Sequence, residues 1–453
     1  MIKNERMNTE KYQKDLFEFL SIPSISTQVK HKKDMDKACN WLLKKLTSLG
    51  FTSKVMQTKG HPVVYGELIQ PKTYNQQPTT LLIYGHYDVQ SSDPIKEWNT
   101  DPFKPEIKSG NIYCRGVADD KGQLYTWIAA LEELKKNDKW PMINVKFLIE
   151  GEEEMGSKNL GEFIENNKTL LKANICAISD THCLSEDQPM IDYGLRGIVY
   201  TQVSVKAFPK DIHSGLYGGN VLNPVQILSQ MISKLKNEDQ EILIPGFYKN
   251  VRKLGIFERR KLSKLPFREK EVLKETGALL VSGEKGFNVH ERAGARPTLE
   301  INGIWGGYIE EGVKTIIPGT ASAKISMRIV PNQKASEIYE KFENYVKKIS
   351  PKGVEITSEL LSTAEPVIVD TKGKYFKMAE KAYKKVFGKW PIYELSGGSI
   401  GVVADLKNIL GIDSIMMGYG LPDDGLHSPN EKFSLAMFDK GIRTNIEFLK
   451  SIA

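Results

Sequence analysis

The apolar positions of this 453-residue chain fall into two regimes, one of helices and short buried strands and one of alternating strands. Helical spacing covers Glu10 to Leu20, which the turn chemistry of Ser21-Ile-Pro-Ser-Ile-Ser then ends. A second amphipathic helix runs from Met35 to Leu49 and is closed by Gly50. Val63-Val-Tyr-Gly-Glu-Leu and Thr79 to Gly85 read as strands, Lys121 to Lys136 as a long helix, and Val145-Lys-Phe-Leu-Ile and Ala173 to Ser179 as further strands. From Tyr193 to Lys206 the pattern becomes strict alternation, as expected of a half-buried strand, and it returns at Ala321 to Val330. Between these lie a helix over Pro224 to Lys236 and a charged, loop-rich stretch. After about Ala364 the first regime resumes, with a helix over Tyr375 to Phe387, a strand over Ser414 to Gly418 and a closing amphipathic helix over Phe438 to Ile452. No internal repeat or low-complexity linker interrupts the chain. Its length exceeds one typical core, so two domains are predicted: an α/β domain built from residues 1–194 and 364–453, with a mostly parallel central sheet, and an inserted α+β domain over 195–363.

Composition narrows the classes. The net charge of +7 is spread along the chain and mixed with Glu and Asp. The most basic stretch, Arg259 to Lys274, contains Glu269 and Glu271 and no aromatic ladder, so it reads as solvated surface and nucleic acid is not expected as a partner. Cys39, Cys114, Cys176 and Cys183 show no CxxC spacing and fit reduced, buried thiols. Met1 to Lys14 has no apolar core of a signal peptide, and no apolar run approaches the roughly 20 residues of a membrane span. A cytoplasmic protein with no membrane partner is the expectation.

The candidate chemistry sits where strands end. Leu81-Leu-Ile-Tyr-Gly runs into His86-Tyr-Asp88, the strand at Val145 runs into Glu150-Gly-Glu-Glu-Glu154, Ile175-Cys-Ala-Ile-Ser runs into Asp180, and Ile415-Met-Met-Gly-Tyr-Gly precedes a loop carrying His427. Open α/β sheets bind ligands beyond the carboxyl ends of their strands, so four such ends on one edge would gather imidazoles and carboxylates into a metal site. Each piece alone has a plainer account. An acidic run is ordinarily a solvated face, and His86-x-Asp88 can be a loop hydrogen bond. Asp119 and Asp120 also suit the start of the Lys121 helix, where negative charge is favoured. Against that stands a bridging role for Asp119, since adjacent carboxylates beside cations are neutralised. His182 reads as an exposed loop histidine and takes no role.

In order along the chain, Tyr84-Gly-His-Tyr-Asp-Val, Gly116-Val-Ala-Asp-Asp-Lys-Gly, Gly151-Glu-Glu-Glu-Met-Gly-Ser, Ile178-Ser-Asp and Leu426-His-Ser-Pro-Asn-Glu resemble the M20 family of dinuclear metallopeptidases, in particular its dipeptidase and carnosinase-like branch. The resemblance implies two divalent metal ions, zinc or manganese with cobalt as a further option. His86 and Asp180 would be terminal ligands of one ion, Glu154 and His427 of the other, and Asp119 the bridge. Glu153 would be the general base acting on metal-activated water, and Asp88 the partner that orients His86. A cis peptide at Asp119-Asp120 is implied as well. The inserted domain becomes a lid that also forms a homodimer interface.

In that lid, His213, within Asp211-Ile-His-Ser-Gly-Leu-Tyr-Gly-Gly219, would reach the partner subunit's active site and stabilise the oxyanion. Read alone it is a structural loop histidine. Arg328, by itself an ordinary strand arginine, would hold a substrate carboxylate, for which a bidentate guanidinium is suited. Thr315, Gly398 and Ser399 would be further substrate contacts, with a plain glycine turn as the rival reading at Ser396-Gly-Gly-Ser. The expected activity is hydrolysis of dipeptides or short peptides bearing a free C-terminal carboxylate. The alternatives are an N-acyl-amino-acid deacylase of desuccinylase or deacetylase type on the same metals, and a catalytically dead, metal-stabilised scaffold.

Overall fold

A computed structural model describes residues 9–71, 78–266, 269–398 and 400–453. The chain forms two compact units, one of residues 1–193, 369–393 and 405–453, the other of residues 194–368 and 394–404. The sequence reading kept 364–453 as one block of the first domain, whereas 394–404 groups with the second unit.

The first unit is built on a mixed sheet. In spatial order its strands are Thr52–Met56, Val63–Leu68, Asn144–Glu150, Thr80–His86, Ile175–Ile178, Ser414–Met416 and Met190–Leu195. The middle four are mutually parallel, and the flanking pairs are antiparallel. Parallel strands are covered on both faces and therefore read as continuous apolar runs. Thr80–His86 is buried at every position after the first. Because the four run the same way, their carboxyl ends share one edge of the sheet, and His86 lies directly across from Glu150 in the ladder.

The helix Lys121–Lys136 packs here so deeply that Leu124 to Leu131 are all buried. Its first turn can approach because position 122 is glycine, where a Cβ would lie 2.0 Å from the Val117 carbonyl oxygen. The closing helix Leu435–Ser451 starts at Ser434, whose hydroxyl accepts from the Met437 N–H. It packs against the Lys121–Lys136 helix, where Asn445 Nδ2 donates to Thr126 Oγ1 at 2.9 Å. The four cysteines are buried and unpaired.

Three helices are also held by charge. Lys45, on Lys32–Ser48, donates to Asp15 of Thr9–Leu20 and to Glu132 of Lys121–Lys136, each at 2.6 Å, and Lys11 also donates to Glu132. Burial alone would raise the Glu132 carboxyl, but the hydrogen bonds from Lys11 and Lys45 hold it below its ordinary 4.5. Glu132→Gln is therefore expected to cost about 1–3 kcal/mol of stability at neutral pH. A carboxyl whose pKa is depressed by folding contributes stability above its unfolded pKa and loses it as pH falls through the folded value. In urea unfolding the gap between wild type and variant should close as pH drops below 4.5. A gap of constant size into acid would contradict this account.

The second unit has a four-stranded antiparallel sheet, in the order Thr298–Gly306, Thr320–Ile329, Gly197–Lys206, Glu355–Ala364. Alternate residues of Gly197–Lys206 are buried, as the sequence pattern predicts, and Val199, Val203 and Val205 pack with Leu228 and Met231 of Pro224–Ser233 and Phe342 of Ala335–Ile349. The expected single strand from Tyr193 breaks at Arg196. Residues up to Leu195 end one strand and Gly197 starts the next. Among the described residues no helix is long and apolar enough to cross a membrane.

Candidate metal centre

Four of the five predicted ligands sit at or after the carboxyl ends of the parallel strands, and the fifth, Asp119, sits in the turn before a helix. His86 is the last residue of its strand. Glu153 and Glu154 lie in the single helical turn Glu153–Met155 that follows the Glu150 strand. Asp180 comes two residues after Ile175–Ile178, and Asp119 closes the turn before Lys121–Lys136. His427 lies in the loop after Ser414–Met416, at φ 61°, a backbone region few non-glycine residues adopt. The peptide between Asp119 and Asp120 is cis.

These side chains converge in two overlapping groups: His86, Asp119 and Asp180, and Asp119, Glu154 and His427. His86 Nε2 lies 3.0 Å from Asp119 Oδ1 and 3.9 Å from Asp180 Oδ2. His427 Nε2 lies 2.9 Å from Asp119 Oδ2 and 3.2 Å from Glu154 Oε2. The two oxygens of one carboxylate thus face two different histidines. Asp88 supports the arrangement from behind. Its carbonyl oxygen is 3.0 Å from His86 Nδ1, and its carboxylate, 3.5 Å from the same nitrogen, accepts from the backbone N–H groups of Glu153 and Glu154 at 3.2 and 3.1 Å. With Nδ1 engaged, Nε2 is the nitrogen turned to the cluster, the usual arrangement of a ligating histidine.

The donor set fits divalent cations. Three carboxylates and two imidazoles are the mixed N/O chemistry of zinc, manganese or cobalt. His86 is fully buried, and its Nε2 has no hydrogen-bond partner among the described residues; neither has the buried Glu154 Oε1. A buried polar atom left without a partner is costly, and an ion between the ligands would satisfy both. The charge balance agrees. The carboxylates of Asp119 and Glu154 push the His427 imidazole up to about 10 against its partial burial, so it takes up a proton where no other cation serves. Burial raises the Asp180 carboxyl well above its ordinary range, and the Asp119 and Asp120 charges add to the rise. Burial likewise pushes Glu153 up to about 7, opposed by His86 and reinforced by Asp119, Glu154 and Asp88. Cations beside it would favour its ionised form.

The remaining predicted residues belong to the second unit. His213 ends the short strand Ile212–His213 and is exposed, with Nδ1 accepting from the Gly215 N–H at 3.0 Å. The carbonyl of exposed Thr315 accepts from the Ser214 N–H at 3.0 Å. Arg328 is half-buried on Thr320–Ile329, opposite Ile198. Gly398 is exposed, and its carbonyl accepts from the Arg196 N–H at 3.1 Å. Ser399 lies outside the described residues. His182 pairs with Gly420 through an isolated parallel bridge.

Sequence reasoning missed three residues around the centre. Arg115, Gln123 and Glu431 are all buried, and all bond to the Arg115–Asp119 segment or contribute to it. Glu431 ends the motif at His427 and carried a signal in its place there, whereas Gln123 reads as one more polar helix residue.

Comparison with known proteins gives one direction. The profile of peptidase family M20/M25/M40 matches residues 82–451. The chain is 30% identical over 453 residues to the Cys-Gly metallodipeptidase dug1 of Schizosaccharomyces pombe, covering 96% of this chain and 94% of that protein. It is 30% identical over 399 residues to the human Beta-Ala-His dipeptidase, covering 86% and 78% respectively. Among solved structures, the M20 family metallo-carboxypeptidase Sso-CP2 from Sulfolobus solfataricus superimposes with a TM-score of 0.88 at 34% identity, covering 98% of this chain and 99% of that one.

Proposed function

The chain belongs to peptidase family M20/M25/M40, and from that premise we propose that it hydrolyses dipeptides with a free C-terminal carboxylate at a two-ion centre held by His86, Asp119, Glu154, Asp180 and His427. That it is a peptidase follows from the family and from relatives that are metallodipeptidases by name. The single observation that carries the finer reading is the pair of His-and-carboxylate groups sharing Asp119. Bound divalent ions at such a centre lower the pKa of water toward neutrality and polarise the scissile carbonyl.

The chain's own groups do the rest. A Glu153 carboxylate oxygen accepts the proton of the attacking water and returns it to the leaving amide nitrogen, so the amine departs neutral. Asp88 fixes both ends of this arrangement, since it touches the His86 ring and holds the Glu153 and Glu154 N–H groups. In this reading the second unit is the lid and homodimer interface. Arg328 takes the substrate carboxylate, with Thr315, Gly398 and Ser399 lining its path, and the partner subunit's His213 supports the oxyanion.

The test is a panel of dipeptides, their C-terminal amides, and N-acetyl and N-succinyl amino acids. It is run on protein stripped with chelator and then refilled with Mn²⁺ or Zn²⁺. Dipeptides should be cleaved only after refilling, with amides and acylated amino acids poor substrates. Cleavage of acylated amino acids alone would move the function to deacylation, and equal cleavage of the amides would remove the role given to Arg328. A single monomer mass in solution would remove the one given to His213.

A further inference from the structure

We propose that Glu431 is a positioning residue for Asp119, and that Gln123 is its counterpart from the opposite side. This rests on the two-ion reading above, though neither side chain is among the groups assigned to the ions.

Glu431 is fully buried, yet four donors converge on it. Its Oε2 accepts from Arg115 Nη1 at 2.8 Å and the Gly116 N–H at 2.9 Å, and its Oε1 from the N–H groups of Ala118 and Asp119 at 2.8 and 3.2 Å. Gln123 Nε2 donates to the Ala118 carbonyl at 2.7 Å. The peptide unit that precedes Asp119 is therefore gripped at both polar ends, its N–H by Glu431 and its C=O by Gln123. That unit sets where the Asp119 carboxylate points.

The same two side chains reach the other ligand loops. Glu431 follows His427 by four residues, and Arg115 Nη2 returns a bond to the Ser428 carbonyl at 3.0 Å. Gln123 Oε1 accepts from the N–H groups of Tyr419 and Gly420 at 2.7 and 3.1 Å, and the Gly420 N–H also meets the carbonyl of Thr181, beside Asp180, at 3.2 Å. Loops bearing Asp119, Asp180 and His427 are thus tied through two buried side chains.

Glutamate suits its place for a reason of valence. An ionised carboxylate offers about four acceptor sites, and a glutamine amide must turn an NH₂ toward one pair of donors whichever way it is flipped. Groups that orient ligands in this way typically change metal affinity or activity by about 10–100-fold when lost.

The experiment measures Mn²⁺ and Zn²⁺ affinity of the stripped full-length protein by competition with a chromophoric chelator. It compares wild type, Glu431→Gln, Gln123→Met and, as a destabilised control away from the centre, Glu132→Gln. Affinity should fall about 10–100-fold in the first two variants and stay at the wild-type value in the control. In the same two, kcat for a dipeptide should fall at unchanged KM. A purely structural role would lower the melting temperature and leave affinity alone, and that result overturns the proposal. If Glu431→Gln does not fold, because Arg115 is left buried opposite an amide, Gln123→Met decides by itself. Wild-type protein that binds metal but cleaves no dipeptide would sink the proposed function without touching this measurement.

Discussion

Glu153→Gln should lower turnover by about 10²–10⁴-fold while metal content stays at the wild-type value. The amide keeps the size and shape of the carboxylate but cannot accept the proton of the attacking water. Glu153 stands outside both candidate groups, so the five side chains proposed to hold metal are untouched by the change. The Asp88 contacts go to its backbone N–H and survive as well. The loss should therefore fall on kcat, with KM nearly constant, as expected when an interaction made only in the transition state is removed. Metal analysis beside steady-state kinetics checks it. A fully active variant would sink the base role, and a variant that has lost its metal would show Glu153 to be a ligand instead.

Asp119→Ala should abolish both metal retention and activity. Asp119 is the only residue common to the two candidate groups, and its two oxygens face His86 and His427 separately. Removing it takes away the two oxygens that face His86 and His427 and, in the proposed centre, leaves two cations unscreened from each other. A Lewis-acidic ion contributes several kcal/mol to such a transition state, and each ~1.4 kcal/mol is about tenfold in rate. A loss on the order of 10³-fold or more is expected. A ligand that binds only the folded state raises its stability, so Mn²⁺ or Zn²⁺ should lift the melting temperature of stripped wild type and leave the variant where it was. Full metal occupancy in the variant would argue that the groups bind separate ions with no bridge.

The sequence alone determined what periodicity and chemical type can fix. The buried parallel strands were readable because a strand covered on both faces must be apolar throughout, and Leu81 to Gly85 and Ile175 to Ile178 are. The half-buried strand at Gly197 was readable because one covered face forces alternation. Strand ends that carry His86, Glu150 to Glu154, Asp180 and His427 pointed to one edge as a candidate site, but the choice of His86, Asp119, Glu154, Asp180 and His427 as ligands came from the motifs that resemble the M20 family. Tertiary structure decided what depends on approach between distant segments. Asp119 and His427 are 308 residues apart, and nothing local sets their 2.9 Å separation. Nor could local pattern show that Asp88 spends its carboxylate on the N–H groups of Glu153 and Glu154, or that the strand at Tyr193 breaks at Arg196. Glu431 and Gln123 are the sharpest case. A polar residue in a loop or helix looks solvated by default, and only burial with a full set of partners reveals that it holds another residue in place.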